Sequence, residues 1–365
     1  MADFYEIDFL PVGATKSGDA ISLRYEEGGR FAVHVVDGGY QDDGQNTLNH
    51  LKEFYGHQNR DGDPVIDHVV ATHPDGDHAS GLQTILENAV VCALWMNRPW
   101  IYAPELLPRF ANYTNVESLA RALRTAFPRL AKLEEIAVAR GIPIQEAFQG
   151  AQIGAFTVLA PSRSSFLDYV VEDERTPEAV VSARAEVGFA DVLVRSLTEV
   201  ARVISAAWGV ERFPPDDTSP RNNMSIVQHA RLSGDDVLLT ADVGRAGLDQ
   251  AADYAAFIGV ALPLPTGSVV QVPHHGSRHN VSSETLDRWL GAKDPVHTEE
   301  RYRAVVSAGK DDVDHPRKAV VRAFIHRGAR ISVTRGMKIC SHGGAAPARG
   351  WTSAPALPYP EGNEE

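Results

Sequence analysis

The sequence predicts a mixed α/β (α+β) fold in which two sheets pack face to face with helices on their outer sides. Three observations carry this expectation. Short strand-like runs crowd roughly the first ninety residues, strand and helix alternate again from Asn222 onward, and the stretch between has helical spacing.

In the first half, Phe4 to Leu10, Ala20 to Tyr25, Arg30 to Asp37 and Val65 to Thr72 are apolar or alternating runs, parted by turn-rich pieces such as Gly13 to Asp19. A helix is expected from about Ala79 to Asn88 and a strand from Ala89 to Met96. From about Asn97 to Gly150, Leu119, Leu123, Phe127 and Leu130 recur at three- and four-residue intervals, and Gly141-Ile142-Pro143 ends the stretch. Gln152 to Ala160 reads as a strand. Thr176 to Trp208 reads as a second helical piece, followed by the turn-rich Phe213 to Pro220. Together these pieces predict a helical insertion at about 97–220 that roofs the rest.

Beyond Asn222, strands are expected at Met224 to His229, Asp236 to Ala241, Ser268 to Val272, Arg303 to Ser307 and Ala329 to Val333. Helices are expected near Leu248 to Phe257, Ser283 to Leu290 and Pro316 to His326. On this reading residues 1–342 form a single domain, and the Gly-, Ala-, Pro- and Glu-rich segment 343–365 is a flexible tail.

Composition narrows the function. The 365 residues carry 35 Lys and Arg against 48 Asp and Glu, a net charge of −13, which disfavours coating a long nucleic acid. No extended basic patch is seen. Arg278, Arg317, Lys318 and Arg335 are local bases near the later motifs that also fit a solvated face. Cys92 and Cys340 lie far apart, so neither a disulfide framework nor a thiolate zinc site is indicated, and a metal would have to use His and carboxylate. The N-terminus carries acids where a signal peptide carries bases, and no apolar run approaches a membrane span. The expected location is the cytoplasm, with no membrane partner.

The strongest chemical signal is Thr72-His73-Pro74-Asp75-Gly76-Asp77-His78, between a predicted strand and a predicted helix. Four metal-competent side chains in six residues can converge on adjacent divalent ions. Read alone, the loop also fits a polar helix cap with Asp77 as N-cap. Two other predicted strands end in similar chemistry: Val237 to Ala241 runs into Asp242, and Val269 to Val272 into Pro273-His274-His275-Gly276-Ser277. Strand ends hold ligands rigidly, which suits a metal site, although Asp242 alone also fits a turn.

With these stretches the sequence resembles the metallo-β-lactamase superfamily of hydrolases, and looks most like the soluble hydrolase domain of ComEC-type competence proteins and bacterial phosphorylcholine esterases. The resemblance extends to Val12-Gly13, Gly18-Asp19-Ala20, Val36-Asp37-Gly38-Gly39, Ser80-Gly81-Leu82, Asn222-Asn223-Met224-Ser225, Ser307-Ala308-Gly309 and His315-Pro316, in the family's order. It implies a four-layer αββα sandwich with two divalent ions, Zn²⁺ or Mn²⁺, at one edge. His73 and Asp75 would hold one ion, Asp77 and His78 the other, and Asp242 would bridge them. His274 or His275 would complete the second, with His274 preferred as nearest the strand. Asp37 would support the ligands through hydrogen bonds. Asp75 stands where the commoner pattern has a second His, and no Gly-His-Thr stretch is present. The first site is therefore oxygen-rich, which favours harder ions. Asp314 stands where relatives usually have Gly, so the loop holding His315 departs from the pattern.

The implied reaction is hydrolysis of a phosphodiester bond by metal-activated hydroxide, as in a nuclease or phosphodiesterase. Asp77 would orient the water as well as bind metal. His315, or less readily Lys310 or His275, would contact a phosphate oxygen or protonate the leaving group. His315 also fits a plain helix start before Pro316. Asn223 and Asn222 fit either a site role or a turn, and Ser307 belongs to the stretch approaching His315. The alternatives are a small ester, thioester or lactone substrate behind a helical lid, or a metal-binding component of a larger defence or regulatory assembly with a protein partner.

Overall fold

The computed structural model describes residues 4–27, 29–178, 209–296 and 299–362. From residue 179 on, the helix expected over Thr176 to Trp208 lies outside the described residues.

Along the chain the structure runs β1 (Phe4–Phe9), β2 (Ala20–Glu27), β3 (Arg30–Gly38), α1 (Asp43–His50), β4 (Val65–Ile66), β5 (His68–Val70), α2 (Gly76–Asn88), β6 (Val90–Val91), β7 (Leu94–Trp95), α3 (Val116–Ala126), α4 (Pro128–Arg140) and β8 (Ile144–Gln145). It continues with β9 (Gln152–Ile153), β10 (Phe156–Ala160), α5 (Arg163–Glu172), β11 (Val227–Leu232), β12 (Asp235–Leu239), α6 (Arg245–Phe257), β13 (Val269–Gln271), α7 (Ser283–Leu290), β14 (Tyr302–Val306), α8 (Lys318–Ile325), β15 (Ala329–Val333) and β16 (Ile339–Gly344). One seven-stranded sheet has the order β16-β1-β2-β3-β5-β7-β8. The other has β15-β14-β13-β12-β11-β10-β9.

Alternation along the strands decides which faces meet. Tyr5, Ile7 and Phe9 of β1 and Ile21, Leu23 and Tyr25 of β2 pack in one apolar layer with Phe156, Val158, Val237, Leu239 and Val305 of the second sheet. On the outer face of the first sheet, Val33, Val35 and Val69 meet Leu48, Leu82, Ile85, Leu119, Leu123 and Leu133 of α1 to α4. On the outer face of the second, Leu238, Val270, Ala304 and Val306 meet Leu248, Ala252, Trp289, Val320 and Phe324 of α6 to α8. The layering is thus helix, sheet, sheet, helix.

Several elements differ from the sequence expectation. The run Val65 to Thr72 is split: β4 pairs only with β6 in a small separate sheet, and β5 joins the main one. Asp67 causes the jog, because its backbone N–H donates to the Val33 carbonyl at 2.9 Å while its carboxylate accepts the Val33 N–H at 2.8 Å, so a side chain occupies a ladder position. Within the 97–220 segment, the run expected as one strand from Gln152 to Ala160 is a hairpin of two. The segment supplies β8 to the edge of the first sheet and this β9–β10 hairpin to the edge of the second. Residues 345–361 have no regular structure, yet they lie against the body. Arg349 donates to both oxygens of Asp8 at 2.8 and 3.0 Å, and the Leu357 N–H donates to the Ile331 carbonyl at 2.8 Å. Among the described residues no helix is long and apolar enough to cross a membrane.

Candidate metal centre

The strands of both sheets end at one edge, and the loops leaving them carry the predicted ligands. Asp37 closes β3, Thr72 to Asp75 link β5 to α2, Ala241 and Asp242 follow β12, and His274 and His275 follow β13. Asp37, Ala241, His274 and His275 all have positive φ, between 46° and 56°. Side chains rarely adopt this conformation, and here it gathers around one small volume. Asp75 occupies the N-cap position of α2 but makes no side-chain cap bond, so its oxygens are left for other partners.

Four imidazoles converge there, and each has its Nδ1 engaged by a neighbour. His78 Nδ1 lies 2.8 Å from Asp37 Oδ2, an acceptor, so the ring N–H donates. Thr72 Oγ1 donates to the same Asp37 oxygen at 2.6 Å, which leaves it to accept from His73 Nδ1 at 3.0 Å. Asn280 spends its amide N–H groups on the carbonyls of Asp242 and Val243, so its oxygen accepts from His274 Nδ1 at 2.9 Å. His275 Nδ1 donates to the Ser307 carbonyl at 2.9 Å. Every ring therefore turns Nε2 inward, the arrangement that fixes a histidine for metal ligation.

Those inward atoms face carboxylates. Asp242 Oδ2 lies 3.7 Å from His73 Nε2 and 3.5 Å from His274 Nε2, while its Oδ1 lies 3.3 Å from His78 Nε2 and 3.8 Å from His275 Nε2. Asp75 Oδ2 stands 4.0 Å from His73 Nε2. Asp77 Oδ2 stands 4.0 Å from His78 Nε2 and 3.7 Å from His275 Nε2. Nε2 of His73, His78 and His275 and Oδ1 of Asp242 are buried without a hydrogen-bond partner. Orphaned lone pairs at such a density cost free energy unless a cation occupies the space between them, so the donor set fits divalent metal. The groups Asp77–His78–His275 and Asp19–His78–Asp242 each have ligand atoms within 4.8 Å of one another.

The electrostatics match this clustering. For His275, burial pushes the imidazole down, but Asp242 and Asp77 outweigh it and hold it up at about 9. Burial likewise opposes protonation of His78, and Asp242 and Asp37 overcome it. His73 is shifted down, by burial and then by His78. Burial pushes Asp77 and Asp242 up, yet the surrounding imidazoles hold both carboxyls below the usual range.

The predicted residues do not all take the positions expected of them. His274 lies on the His73 side of Asp242 rather than the His78 side, and His275 takes the place expected for it. His315 stands at the rim, its ring 6.3 Å from that of His275 and 6.5 Å from that of His274, with Nδ1 donating to Asp312 at 3.1 Å; burial shifts it down. Asn222 is 3.2 Å from His274 Nδ1, whereas Asn223 turns away to accept the Gly244 N–H at 2.9 Å. Ser307 contributes its carbonyl to His275. Lys310 is exposed and packs its stem over Gly336.

Two participants were not singled out as site residues from sequence. Asp19 is buried beside His78, 3.7 Å from its Nδ1, and burial pushes its carboxyl up. Gln271 donates to Asp19 at 3.0 Å and accepts the N–H groups of Thr240 and Ala241, tying the β12 loop to the β1–β2 loop. Asp19 belongs to the Gly18-Asp19-Ala20 stretch, where nothing in the local pattern separates it from a turn residue. Gln271 ends β13, and only the tertiary structure gives it a role.

Comparison with known proteins found no matching family model and no matching curated protein. Solved structures similar to the chain include the hydrolase AbOPH in the β-lactamase superfamily, at 9% identity and TM-score 0.33, covering 69% of this chain and 71% of that one. They also include the metallo-β-lactamase SMB-1 bound to 2-mercaptoethanesulfonate, at 10% identity and TM-score 0.31, covering 78% of this chain and 86% of that one.

Proposed function

We propose that the protein is a metal-dependent hydrolase of phosphodiester bonds, working with two divalent ions, Zn²⁺ or Mn²⁺. The observation that carries this reading is the convergence of four Nδ1-anchored imidazoles on Asp75, Asp77 and Asp242, with Nε2 of His73, His78 and His275 buried and unsatisfied. His73, Asp75, His274 and Asp242 Oδ2 would hold one ion; Asp77, His78, His275 and Asp242 Oδ1 would hold the other. When bound, such a pair supplies Lewis-acid stabilisation of charge on oxygen and makes water acidic enough to attack near neutral pH.

The chain's own groups do the rest. Asp77, kept ionised by its neighbours and a quarter exposed, accepts a hydrogen bond from the attacking water and aims it. With the Nδ1–H of His315 spent on Asp312, Nε2 donates to a phosphate oxygen or protonates the departing alkoxide in the imidazolium form, which Asp312 favours and burial opposes. A donor set with three carboxylates suits hard ions and a phosphate oxygen, which favours a phosphodiester over a neutral ester.

The test is elemental analysis of the purified protein combined with turnover of bis-p-nitrophenyl phosphate and of p-nitrophenyl acetate, each with Mn²⁺ or Zn²⁺ added. Metal at about two equivalents with metal-dependent diester cleavage is expected. Robust ester turnover without diester cleavage would replace the phosphodiester reading, and full activity after chelation would end the metal reading.

A further inference from the structure

Beside Asp75, on the side away from His73, three guanidinium groups gather from three separate elements. Arg175, just past α5, places Nη1 3.5 Å from Asp75 Oδ1 while most of its side chain is open to solvent. Arg221, in the helical turn Pro220–Asn223, is buried, with Nε 4.0 Å from the same oxygen and without a hydrogen-bond partner. Its plane is fixed by the Phe127 ring, 4.6 Å from Cζ, and by Asp173, whose Oδ2 is 2.6 Å from Nη2. Arg129, from α4, lies over Gly76, its Nε and Nη2 2.7 Å from where a Cβ would stand, and donates to Ser80 Oγ at 3.1 Å. Among the described residues Arg129 has no ion pair.

We infer that Arg129, Arg175 and Arg221 form an anion grip that takes a phosphate oxygen of the substrate on the Asp75 flank of the centre, and so selects phosphate-bearing over neutral substrates. This deepens the phosphodiester reading and rests on it for the reaction, though not for binding. Among the described residues the three positive groups face only Asp75 and Asp173, in a chain whose overall charge is −13. The planar guanidinium fork can pair two oxygens of a tetrahedral phosphate at once, and Arg221, stacked on Phe127, is already ordered. Arg175 can swing from Asp75 to the incoming anion.

Two readouts test the grip. Affinity for inorganic phosphate, measured by titration calorimetry on the metal-loaded protein, should weaken at least fivefold in Arg175→Ala and in Arg129→Ala, with metal content unchanged. Lys132→Ala, an exposed change on the same helix as Arg129, should leave it alone. In turnover, Arg175→Ala should raise KM for bis-p-nitrophenyl phosphate about tenfold with kcat largely kept, and leave KM for p-nitrophenyl acetate unchanged. Unaltered phosphate affinity in both arginine variants, or equal KM changes for the two substrates, would overturn the grip. Absence of diester turnover in the wild type would overturn the proposed reaction instead, and the phosphate titration would still decide the grip.

Discussion

At the scale of the residue, the proposed centre depends on second partners as much as on the proposed ligands themselves. Asp37 shows this: one carboxylate receives the Thr72 hydroxyl and His78 Nδ1 on Oδ2 and the Thr72 N–H on Oδ1, so it aims two imidazoles at once. Changing Asp37 to Ala should lower metal affinity by about 10- to 100-fold, the usual cost of losing such a support. Competition with a chromophoric chelator measures it. Removing a direct donor goes further. Asp75→Ala or His78→Ala should lower bound metal and abolish hydrolysis, while Cys92→Ala, exposed in the turn between β6 and β7, should do neither. Elemental analysis of the three variants settles the point, and metal retained in both Asp75→Ala and His78→Ala would contradict the ligand assignment.

At the scale of the element, α2 carries Asp77 and His78 of the proposed centre, and glycine sets how closely it sits on β3. A Cβ on Gly81 would stand 1.9 Å from the Gly38 carbonyl oxygen, a backbone atom with no flexible end to yield. In an open helix, Gly to Ala stabilises by about 0.8–1 kcal/mol through propensity. Gly81→Ala should instead destabilise by about 1–3 kcal/mol or more, because α2 must lift from the sheet. It should also lose metal, since His78 rides on the same helix. A denaturant midpoint and a metal assay together check both parts, and a stabilised variant would refute the close contact.

The same comparison shows what could be read from sequence. Ser283–Leu290 and Ala329–Val333 coincide with α7 and β15, because their apolar periodicity is undiluted and their ends are marked by turns. The polar α1, Asp-Gly-Gln-Asn-Thr-Leu-Asn-His, shows only one strong apolar residue and gave no periodic signal. β16 is defined by pairing with β1 more than 300 residues earlier, a contact no local pattern encodes. The site shows the same division. The dense loop from His73 to His78 was legible as metal chemistry, but which histidine faces which side of Asp242 depends on the positive φ of His274 and His275. The three arginines lie far apart along the chain and meet only in the fold.

At the scale of the whole molecule, the question is what fastens the chain where it re-enters the sandwich after the long segment between the two halves. Glu211 serves that place. Its carboxylate meets His326 Nδ1, lies 3.0 Å from Arg327 Nη1, and accepts the Ser283 hydroxyl, so it clasps the start of α7 to the end of α8. Arg327 is fully buried and also reaches Asp287 at 2.7 Å. Burial pushes the Glu211 carboxyl up, but His326 and Arg327 outweigh it and hold it at about 2, against an ordinary 4.5. A carboxyl depressed in the folded state adds stability that is complete above 4.5 and disappears as pH falls toward 2. The contribution is up to about 3 kcal/mol, from about 1.36 kcal/mol per pKa unit. Glu211→Gln should therefore be clearly less stable than wild type at pH 7, where it removes one of the two carboxylates that face the buried Arg327. The difference should narrow steadily between pH 4.5 and pH 2.5 as the wild type loses its own charge. Urea midpoints of both proteins across that range measure the gap, and a gap independent of pH would show that Glu211 does not hold this junction through its charge.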